Sequence, residues 1–283
     1  MAISDSSVHD FSYDAVVIGG GSAGLQAALT LGRVHRRTLL LDSGTYRNDP
    51  AHHLHNFLGH DGTPPAQLRA EARADLAAYD TVTVHDAVVA SVGVDGVGFR
   101  VDLGGEEVTT RGLVLATGVR DDLPTVPGLA VLFGDVVAHC PFCHGHEMAG
   151  KRVAVLGEPG HLTGLMGPVA ASVEGVDPER VARLERAGAG LRVVLTDGSS
   201  EEFGGMFVAT TLRQAAPFAE QLGLDLLPSG CVEVDAMGRT SVPGVHAAGD
   251  MAHHRDLAQP MAAVLTAAAS GLVAGAALAA YLL

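Results

Sequence analysis

The hydrophobic positions near the start of the chain predict a strand, a tight turn and a helix in succession. Four apolar residues, Ala15 to Ile18, form a short β run, and an Ala- and Leu-rich helical stretch continues to about Gly32. Glycines occupy the turn between them, and a second apolar run, "RTLLLD", ends at Asp42. This order predicts a βαβ unit and therefore an α/β fold.

Three later apolar runs predict further strands, each followed by a turn. They are "GLVLATGVRDDLPTVPG" from Gly112 to Gly128, "RVAVL" from Arg152 to Leu156, and "TSVPGVHAAGDMA" from Thr240 to Ala252. Taken one at a time, such runs indicate no more than a strand and a turn.

The segment from Pro260 to Leu283 contains no charged side chain, and its length would span a bilayer. Much of it is Ala and Gly, however, no basic cluster flanks it, and Pro260 is placed to begin a helix. We therefore expect a buried C-terminal helix and no membrane association.

Composition and charge narrow the class of protein. The chain has 283 residues, 47% apolar and 18% charged, which is typical of one large or two ordinary globular domains. Acidic residues outnumber basic ones by 32 to 18, and the net charge of −14 disfavours a nucleic-acid partner. Three cysteines are too few for a secreted disulfide scaffold, and residues 1–14 lack a signal-peptide pattern. We expect a cytoplasmic protein.

Gly19, Gly21 and Gly24 have the G-x-G-x-x-G spacing between a predicted strand and a predicted helix. In that context the glycines let the backbone approach a pyrophosphate and let helix pack on strand, while the helix start faces the phosphates. Asp42, 18 residues after Gly24, is placed to accept hydrogen bonds from ribose hydroxyls. The pattern predicts a dinucleotide site and leaves NAD and FAD open.

The stretch "HCPFCHGHE", residues 139–147, has three interpretations. Cys-x-x-Cys-His is the attachment motif of c-type haem, Cys and His at short spacing can bind zinc, and Cys-x-x-Cys can be a redox disulfide. The stretch does not distinguish among them by itself.

The order of these motifs resembles that of the low-molecular-weight thioredoxin reductases, over nearly the whole chain. The resemblance implies a two-dinucleotide-binding-domain flavoprotein that binds FAD and forms a homodimer. It implies a Rossmann-like FAD-binding domain in two pieces, residues 1–118 and 239–283. Residues 119–238 would be an inserted, shortened NADPH-type domain that carries the Cys-x-x-Cys.

The resemblance also implies which residues bind the cofactor. Gly249 and Asp250 would place a carboxylate at the ribityl–pyrophosphate part of FAD, and the next helix would begin at residues 259–261 and face the flavin. The expected cofactor-binding residues are Gly19, Gly21, Ser22, Ala23, Gly24, Asp42, Ser43, Arg47, Asn56, Ala87, Ala116, Thr117, Gly118, Gly249, Asp250, Gln259, Pro260 and Met261. In the flavin context haem and zinc are disfavoured, and no metal site is expected.

The inserted domain departs from the family pattern. After the strand at Arg152 to Leu156, the turn reads Gly157-Glu-Pro-Gly160, so Pro159 replaces a fingerprint glycine and Glu158 adds negative charge. No Arg cluster for a 2′-phosphate follows, and one helix and one strand are expected to be missing. We expect no tight NADPH binding.

The family implies that Cys143 faces the flavin and that Cys140 exchanges with substrate, at a helix start that favours the thiolate. Thioredoxin reductases carry Asp directly after the second cysteine, where this chain has His144. That departure resembles the FAD-dependent dithiol oxidases of natural-product pathways, such as those of gliotoxin, holomycin and romidepsin. A histidine base accepts a thiol proton near neutral pH better than Asp does. Cys140, Cys143 and His144 are therefore the expected catalytic residues.

Three functions remain open. The favoured one is an FAD-dependent oxidase that converts a small-molecule dithiol to an intramolecular disulfide with O₂ as acceptor. The alternatives are a disulfide reductase that uses NADPH or another reductant, and a degenerate flavoprotein that serves as a binding or redox-sensing subunit. The roles of His139, His146 and Glu147 are not assigned, and Cys231 is expected to be a small buried residue.

Overall fold

The computed structural model describes residues 11–283. Residues 1–10, which make up most of the N-terminal segment expected to lack a signal peptide, lie outside the described residues. The strands are β1 (Tyr13–Ile18), β2 (Thr38–Asp42), β3 (Val82–Asp86), β4 (Ser91–Asp95), β5 (Gly98–Asp102), β6 (Glu107–Leu115), β7 (Val119–Asp122), β8 (Val137–Ala138), β9 (Arg152–Leu156), β10 (Ser172–Val176), β11 (Val181–Ala187), β12 (Gly190–Leu195), β13 (Ser200–Phe203), β14 (Gly205–Phe207), β15 (Thr211–Gln214), β16 (Val232–Glu233), β17 (Val245–Ala247) and β18 (Ala252–His253). The α-helices are α1 (Ser22–Arg33), α2 (Pro65–Leu76), α3 (Leu129–Leu132), α4 (Pro141–His144), α5 (Leu162–Met166), α6 (Phe218–Gln221) and α7 (Val264–Tyr281).

The chain divides into two compact units. The first contains the residues up to Thr45, Arg69–Val119 and Gln214–Leu283, and the second contains Tyr46–Leu68 and Arg120–Arg213. Residues 214–238, expected in the inserted domain, lie in the first unit because β16 pairs with β18 and the Gln221 side chain accepts from the Val92 N–H. Residues 46–68, expected in the FAD-binding domain, lie in the second. The division into FAD-binding and NADPH-type domains stays a prediction.

The first unit is built on a sheet in the order β3-β2-β1-β6-β5-β4, with β17 also paired to β6. The pairs among β3, β2, β1, β6 and β17 are parallel, and those joining β4, β5 and β6 are antiparallel. Ala15 to Ile18 are buried because a central parallel strand is covered on both faces.

Helix α7 is long and apolar enough to cross a membrane by length and composition alone. Its small residues pack against α1, and a Cβ atom added at Gly271 would lie 2.0 Å from the carbonyl oxygen of Ala23. Such close backbone contact requires glycine. One face of α7 packs on α1, whereas Leu265, Leu272 and Tyr281 are exposed, so the helix expected to be buried is only partly so.

The predicted start of this last helix is wrong. Residues 259–261 were expected to begin it, but the first helical residue is Val264. Ala263 is extended (φ −148°, ψ 151°), and the carbonyl of Pro260 accepts from the Ala262 N–H instead of continuing a helix. The hydroxyl of Thr266 donates to the carbonyls of Met261 and Ala263 and holds this non-helical lead-in.

The second unit contains a parallel sheet in the order β10-β9-β14-β8 and an antiparallel meander, β11-β12-β13. Strand β7 pairs with β15. Residues 157–171, which connect the parallel strands β9 and β10, contain only the five-residue helix α5. A dinucleotide-binding βαβ unit normally has a long helix at this point.

Candidate active site

The glycine-rich turn leads into α1 and leaves one glycine facing open space. A Cβ atom at Gly19 (φ +117°) would lie 2.2 Å from the Ala116 carbonyl oxygen, and one at Gly24 would lie 1.8 Å from the Gly19 carbonyl oxygen. Gly21, the N-cap of α1, has no heavy atom within 4 Å of such a Cβ, and no side chain caps the helix. The turn therefore fits a pyrophosphate above Gly21 and the first N–H groups of α1.

The predicted cofactor motifs of the first unit meet around this turn. Ala116 follows β6, and its N–H donates to the Ile18 carbonyl at 2.8 Å. Gly249 lies in a short 3₁₀ turn after β17, with its added Cβ 3.0 Å from the Cβ of Ala23. The Thr117 hydroxyl contacts the sulfur of Met251 in the same 3₁₀ turn. Ser22, Gly118 and Asp250 adjoin these residues in sequence.

Asp42 lies beneath the turn at the end of β2, where an added Cβ at Gly20 would fall 1.9 Å from its Oδ2 atom. The carboxylate is buried, and its Oδ1 accepts from the N–H of Gly44 at 2.9 Å. Arg73 of α2 donates to Oδ2 at 2.5 Å and also to Asp86 at 2.5 Å. The pKa of Asp86 is lowered by Arg73. Arg73 was not among the predicted site residues, since nothing in the local sequence pattern marks it.

The remaining predicted cofactor residues lie in several places. Ser43 follows β2 and is exposed, and the N–H of Ala87 donates to the Asp42 carbonyl at 2.9 Å. Arg47 and Asn56 belong to the second unit. Gln259, Pro260 and Met261 precede α7, and the Met261 side chain is exposed.

Cys140 and Cys143 form a disulfide with a Cα–Cα distance of 5.3 Å, and both residues are partly exposed. The N–H groups of Cys143 and His144 both donate to the Cys140 carbonyl at 3.2 Å and form the single turn of α4. Stabilisation of the thiolate was expected from a helix start. Because α4 has only four residues, its dipole contributes little to that stabilisation.

His144 has one ring nitrogen in a hydrogen bond and the other without a partner. Its Nε2 lies 3.3 Å from the Gly134 carbonyl oxygen, and its Nδ1 is buried without a partner among residues 11–283. A carbonyl only accepts, so Nε2 carries the proton and Nδ1 presents a lone pair. Burial lowers the pKa of His144, opposed by the Gly134 contact and by Glu147. The ring is therefore a neutral proton acceptor beside Cys143.

His139, which precedes Cys140 in sequence, faces a hydrogen-bond donor, whereas His144 faces an acceptor. Arg47 binds Asp121 through two contacts, Nε to Oδ2 at 2.7 Å and Nη2 to Oδ1 at 2.8 Å, and Thr210 donates to Oδ1 at 2.7 Å. The same Nη2 lies 3.4 Å from His139 Nε2, and the Phe133 ring stacks on the imidazole. Arg47 was expected at the cofactor, and no sequence pattern connects it with His139.

A histidine-rich loop, residues 52–60, also approaches the segment after the cysteines within the second unit. His55 Nδ1 lies 3.5 Å from Asp61 Oδ2, and its Nε2 lies 3.6 Å from Glu147 Oε1. Asp61 accepts from the Asn56 N–H at 2.7 Å, which lowers the pKa of Asp61. The Glu147 carboxylate therefore lies against the His55 ring, and His146 is exposed. In residues 11–283, no group of three or more His, Cys, Asp or Glu is arranged to hold a metal ion.

The turn after β9 departs from the glycine-rich pattern of a dinucleotide-binding turn. Pro159 packs on β10, with its Cδ 3.0 Å from an added Cβ at Gly175, and Glu158 is exposed in the turn. The helix that follows is too short to present a strong dipole. Arg180, the first arginine after β10, pairs with Asp197 at 3.4 Å.

Comparison with known proteins gives one family for most of the chain. The family described as pyridine nucleotide-disulphide oxidoreductase matches residues 13–165 and 170–271. The chain is 33% identical to thioredoxin reductase sirT of Leptosphaeria maculans, over 93% of this chain and 92% of that protein.

Two solved structures are similar over nearly their full length. The structure of HlmI has a TM-score of 0.84 and 32% identity, covering 95% of this chain and 92% of HlmI. An oxidoreductase from Agrobacterium tumefaciens has a TM-score of 0.84 and 32% identity, covering 94% of this chain and 97% of that one. The expected thioredoxin reductase-like α/β fold is confirmed.

Proposed function

The chain belongs to the pyridine nucleotide-disulphide oxidoreductase family, and we propose that it is a thiol oxidase that closes an intramolecular disulfide in a small-molecule dithiol. The protein is a thioredoxin reductase-like oxidoreductase, and its cofactor is FAD, as in that family. The direction of the reaction, the use of O₂ as terminal acceptor, the cytoplasmic location and a homodimeric state are parts of the proposal.

The observation that carries the proposal is the unpartnered Nδ1 of His144. A reaction that begins with a substrate thiol needs a base, because the thiolate is the nucleophile. A neutral imidazole with a buried lone pair accepts such a proton near neutral pH, which an ordinary carboxylate does poorly. His144 therefore favours thiol oxidation over disulfide reduction.

The exchange at the cysteine pair then follows in two displacements. The first substrate thiolate attacks the sulfur of Cys140, the Cys140–Cys143 bond breaks, and Cys143 leaves with the electron pair. The second substrate thiolate attacks the substrate sulfur of this mixed disulfide, and Cys140 leaves in turn. The substrate loses two electrons and two protons, and the enzyme holds a reduced cysteine pair.

FAD, when bound, supplies a two-electron acceptor for the reduced cysteine pair and delivers those electrons to O₂, which becomes hydrogen peroxide. The residues that would hold it are the glycine turn with its open Gly21, the strand end at Ala116 and the Gly249–Asp250 turn. Their part is to bind and orient the cofactor.

The turn after β9 supports the same direction. A reductase that is driven by NADPH must bind this hydride donor, and Pro159, Glu158 and a five-residue helix form a poor binding site for its pyrophosphate. Thioredoxin reductase-like reduction with NADPH or another reductant remains the competing function, and it is the outcome that the following experiment can return.

The test mixes the purified flavoprotein with small dithiols of varied spacing in air and follows oxygen uptake, peroxide and substrate disulfide. We expect one peroxide per disulfide formed and no bleaching of the flavin by NADPH in the absence of oxygen. Flavin bleaching by NADPH together with no oxygen uptake on any dithiol would identify a reductase instead.

A further inference from the structure

The two histidines on either side of Cys-x-x-Cys hold their protons on opposite ring nitrogens. His144 Nε2 faces a carbonyl oxygen, which only accepts, so Nε2 is protonated and Nδ1 is not. His139 Nε2 faces the guanidinium of Arg47, which only donates, so Nε2 is unprotonated and the proton of the neutral ring is on Nδ1. His144 is thus set as an acceptor, and His139 as a donor.

Arg47 is held firmly enough to impose this state on His139. Two contacts to Asp121 fix the plane of the guanidinium, and Thr210 fixes the Asp121 carboxylate. The side chains of Arg47 and Asp121 are 17% and 6% exposed, so water competes little for these contacts. Phe133 stacks on the His139 ring and limits its rotation.

We propose that Arg47 is a positioning residue that fixes His139 as a hydrogen-bond donor for the neighbouring outer cysteine, Cys140, once the Cys140–Cys143 bond opens. The inference rests on the proposed function for the direction of exchange. In the second displacement the bond between Cys140 and the substrate sulfur breaks, and the electron pair stays on Cys140. A donor N–H on the preceding residue stabilises that thiolate without transferring its proton, while His144 takes the proton of the attacking thiol.

The charges around His139 agree with a neutral ring. Burial, Arg47 and, more weakly, His144 lower the pKa of His139, and Asp121 opposes them. The ion pair of Arg47 with Asp121 nearly cancels in charge, so the local effect on Cys140 comes chiefly from the orientation of His139. The predicted role of Arg47 in cofactor binding becomes the competing explanation.

The experiment measures the thiol pKa of Cys140 in the reduced holoenzyme under nitrogen, from the pH dependence of alkylation by iodoacetamide with Cys140 identified by mass spectrometry. We expect Arg47→Met and His139→Phe each to raise this pKa by about one unit. At a fixed pH below the pKa, alkylation of Cys140 should then be about tenfold slower. The double variant should match His139→Phe alone, because Arg47 acts through His139. Arg213→Met, which removes an exposed ion pair with Asp122, should leave the pKa unchanged.

Three results would overturn the proposal. One is an unshifted pKa in Arg47→Met, and another is an equal further shift when Arg47→Met is added to His139→Phe, which would indicate a charge effect alone. The third is loss of flavin absorbance from Arg47→Met with the thiol pKa unchanged, which would return Arg47 to the cofactor site.

If Arg47→Met does not fold, Arg47→Lys serves as the second variant. It keeps the positive charge but loses the planar, two-point contact with Asp121, and it must raise the same pKa. The measurement needs neither O₂ nor substrate, so it stands apart from a failure of the oxidase assay.

Discussion

The Nε2 atom of His144 lies 3.3 Å from the carbonyl oxygen of Gly134, and this contact determines which ring nitrogen holds the proton. The other nitrogen, Nδ1, is buried and has no partner in the described part of the chain. An unpaired buried acceptor costs stability. The proposed function gives this atom a use, because Nδ1 would accept the proton of the attacking thiol.

Replacement of His144 by Asn removes the base while keeping a polar amide of similar size. We expect the turnover number for dithiol oxidation to fall roughly 10²- to 10⁴-fold, the usual contribution of a general base. Stopped-flow reduction of the flavin by dithiol without oxygen measures the affected half-reaction. The matched control is His146→Asn at an exposed position on the next turn, and an equal loss there would show that the effect is not specific to His144.

The pH dependence of that half-reaction follows from the burial of His144. Its pKa is lowered from the ordinary value of 6.5, so the ring stays unprotonated below pH 6.5 and binds its proton only at lower pH. The rate should therefore hold down to below pH 6.5 and then decline. A decline centred well above pH 6.5 would contradict a role for the neutral imidazole.

Two glycine substitutions separate cofactor binding from folding. Gly21→Ala adds a methyl group in open space, so we expect unchanged stability of the apoprotein but weaker FAD binding, measured by flavin fluorescence titration. Gly24→Ala places its methyl 1.8 Å from the Gly19 carbonyl oxygen, so the apoprotein should lose about 1–3 kcal/mol in denaturant unfolding. Equal FAD affinity in Gly21→Ala and the unaltered protein would refute a phosphate site at this turn.

The three cysteines should respond differently to replacement. Cys143→Ser removes the sulfur that closes the disulfide, so turnover should be abolished, because Cys140 alone offers no disulfide bond for the substrate thiolate to break. Cys231 is buried in the first unit with its sulfur 3.5 Å from the Asp250 carbonyl oxygen. Cys231→Ala should keep dithiol oxidation and lose about 1 kcal/mol of stability. Turnover by Cys143→Ser would exclude a disulfide relay.

The burial of His246 should make the free energy of unfolding sensitive to acid. It is buried in β17 with neither ring nitrogen paired among the described residues, and burial, with Arg239, lowers its pKa to about 4. Between pH 6.5 and about 4 the unfolded chain binds a proton here that the folded chain does not, so stability falls as the pH falls. The full effect is on the order of 3 kcal/mol.

His246→Leu should remove that loss, which urea unfolding at pH 7 and pH 4 would reveal as a smaller difference between the two conditions. His85→Leu, at an exposed position on β3, is the control and should retain the pH dependence. The same pH dependence in His246→Leu as in the unaltered protein would contradict this account.

The glycine turn and the cysteine pair were predictable because their geometry depends on adjacent residues. Gly19 and Gly24 are required where the backbone approaches within contact distance, and Cys140 and Cys143 are separated by one turn of chain. The start of α7 was not predictable in the same way. Pro260 is compatible with a helix start, but an extended Ala263 and the hydroxyl of Thr266 delay the helix to Val264.

The sequence by itself determined the βαβ nucleotide turn, the redox pair and the substitution of His144 for an acid, since each is a local pattern of residue types. The tertiary structure alone decided where the protons of the two histidines lie. Arg47 contacts His139, 92 residues away in sequence, and Asp121, 74 residues away, and the Gly134 carbonyl meets His144 because the segment after α3 packs against α4. The tautomer of an imidazole depends on the partner that faces it, and only the folded chain brings that partner into contact.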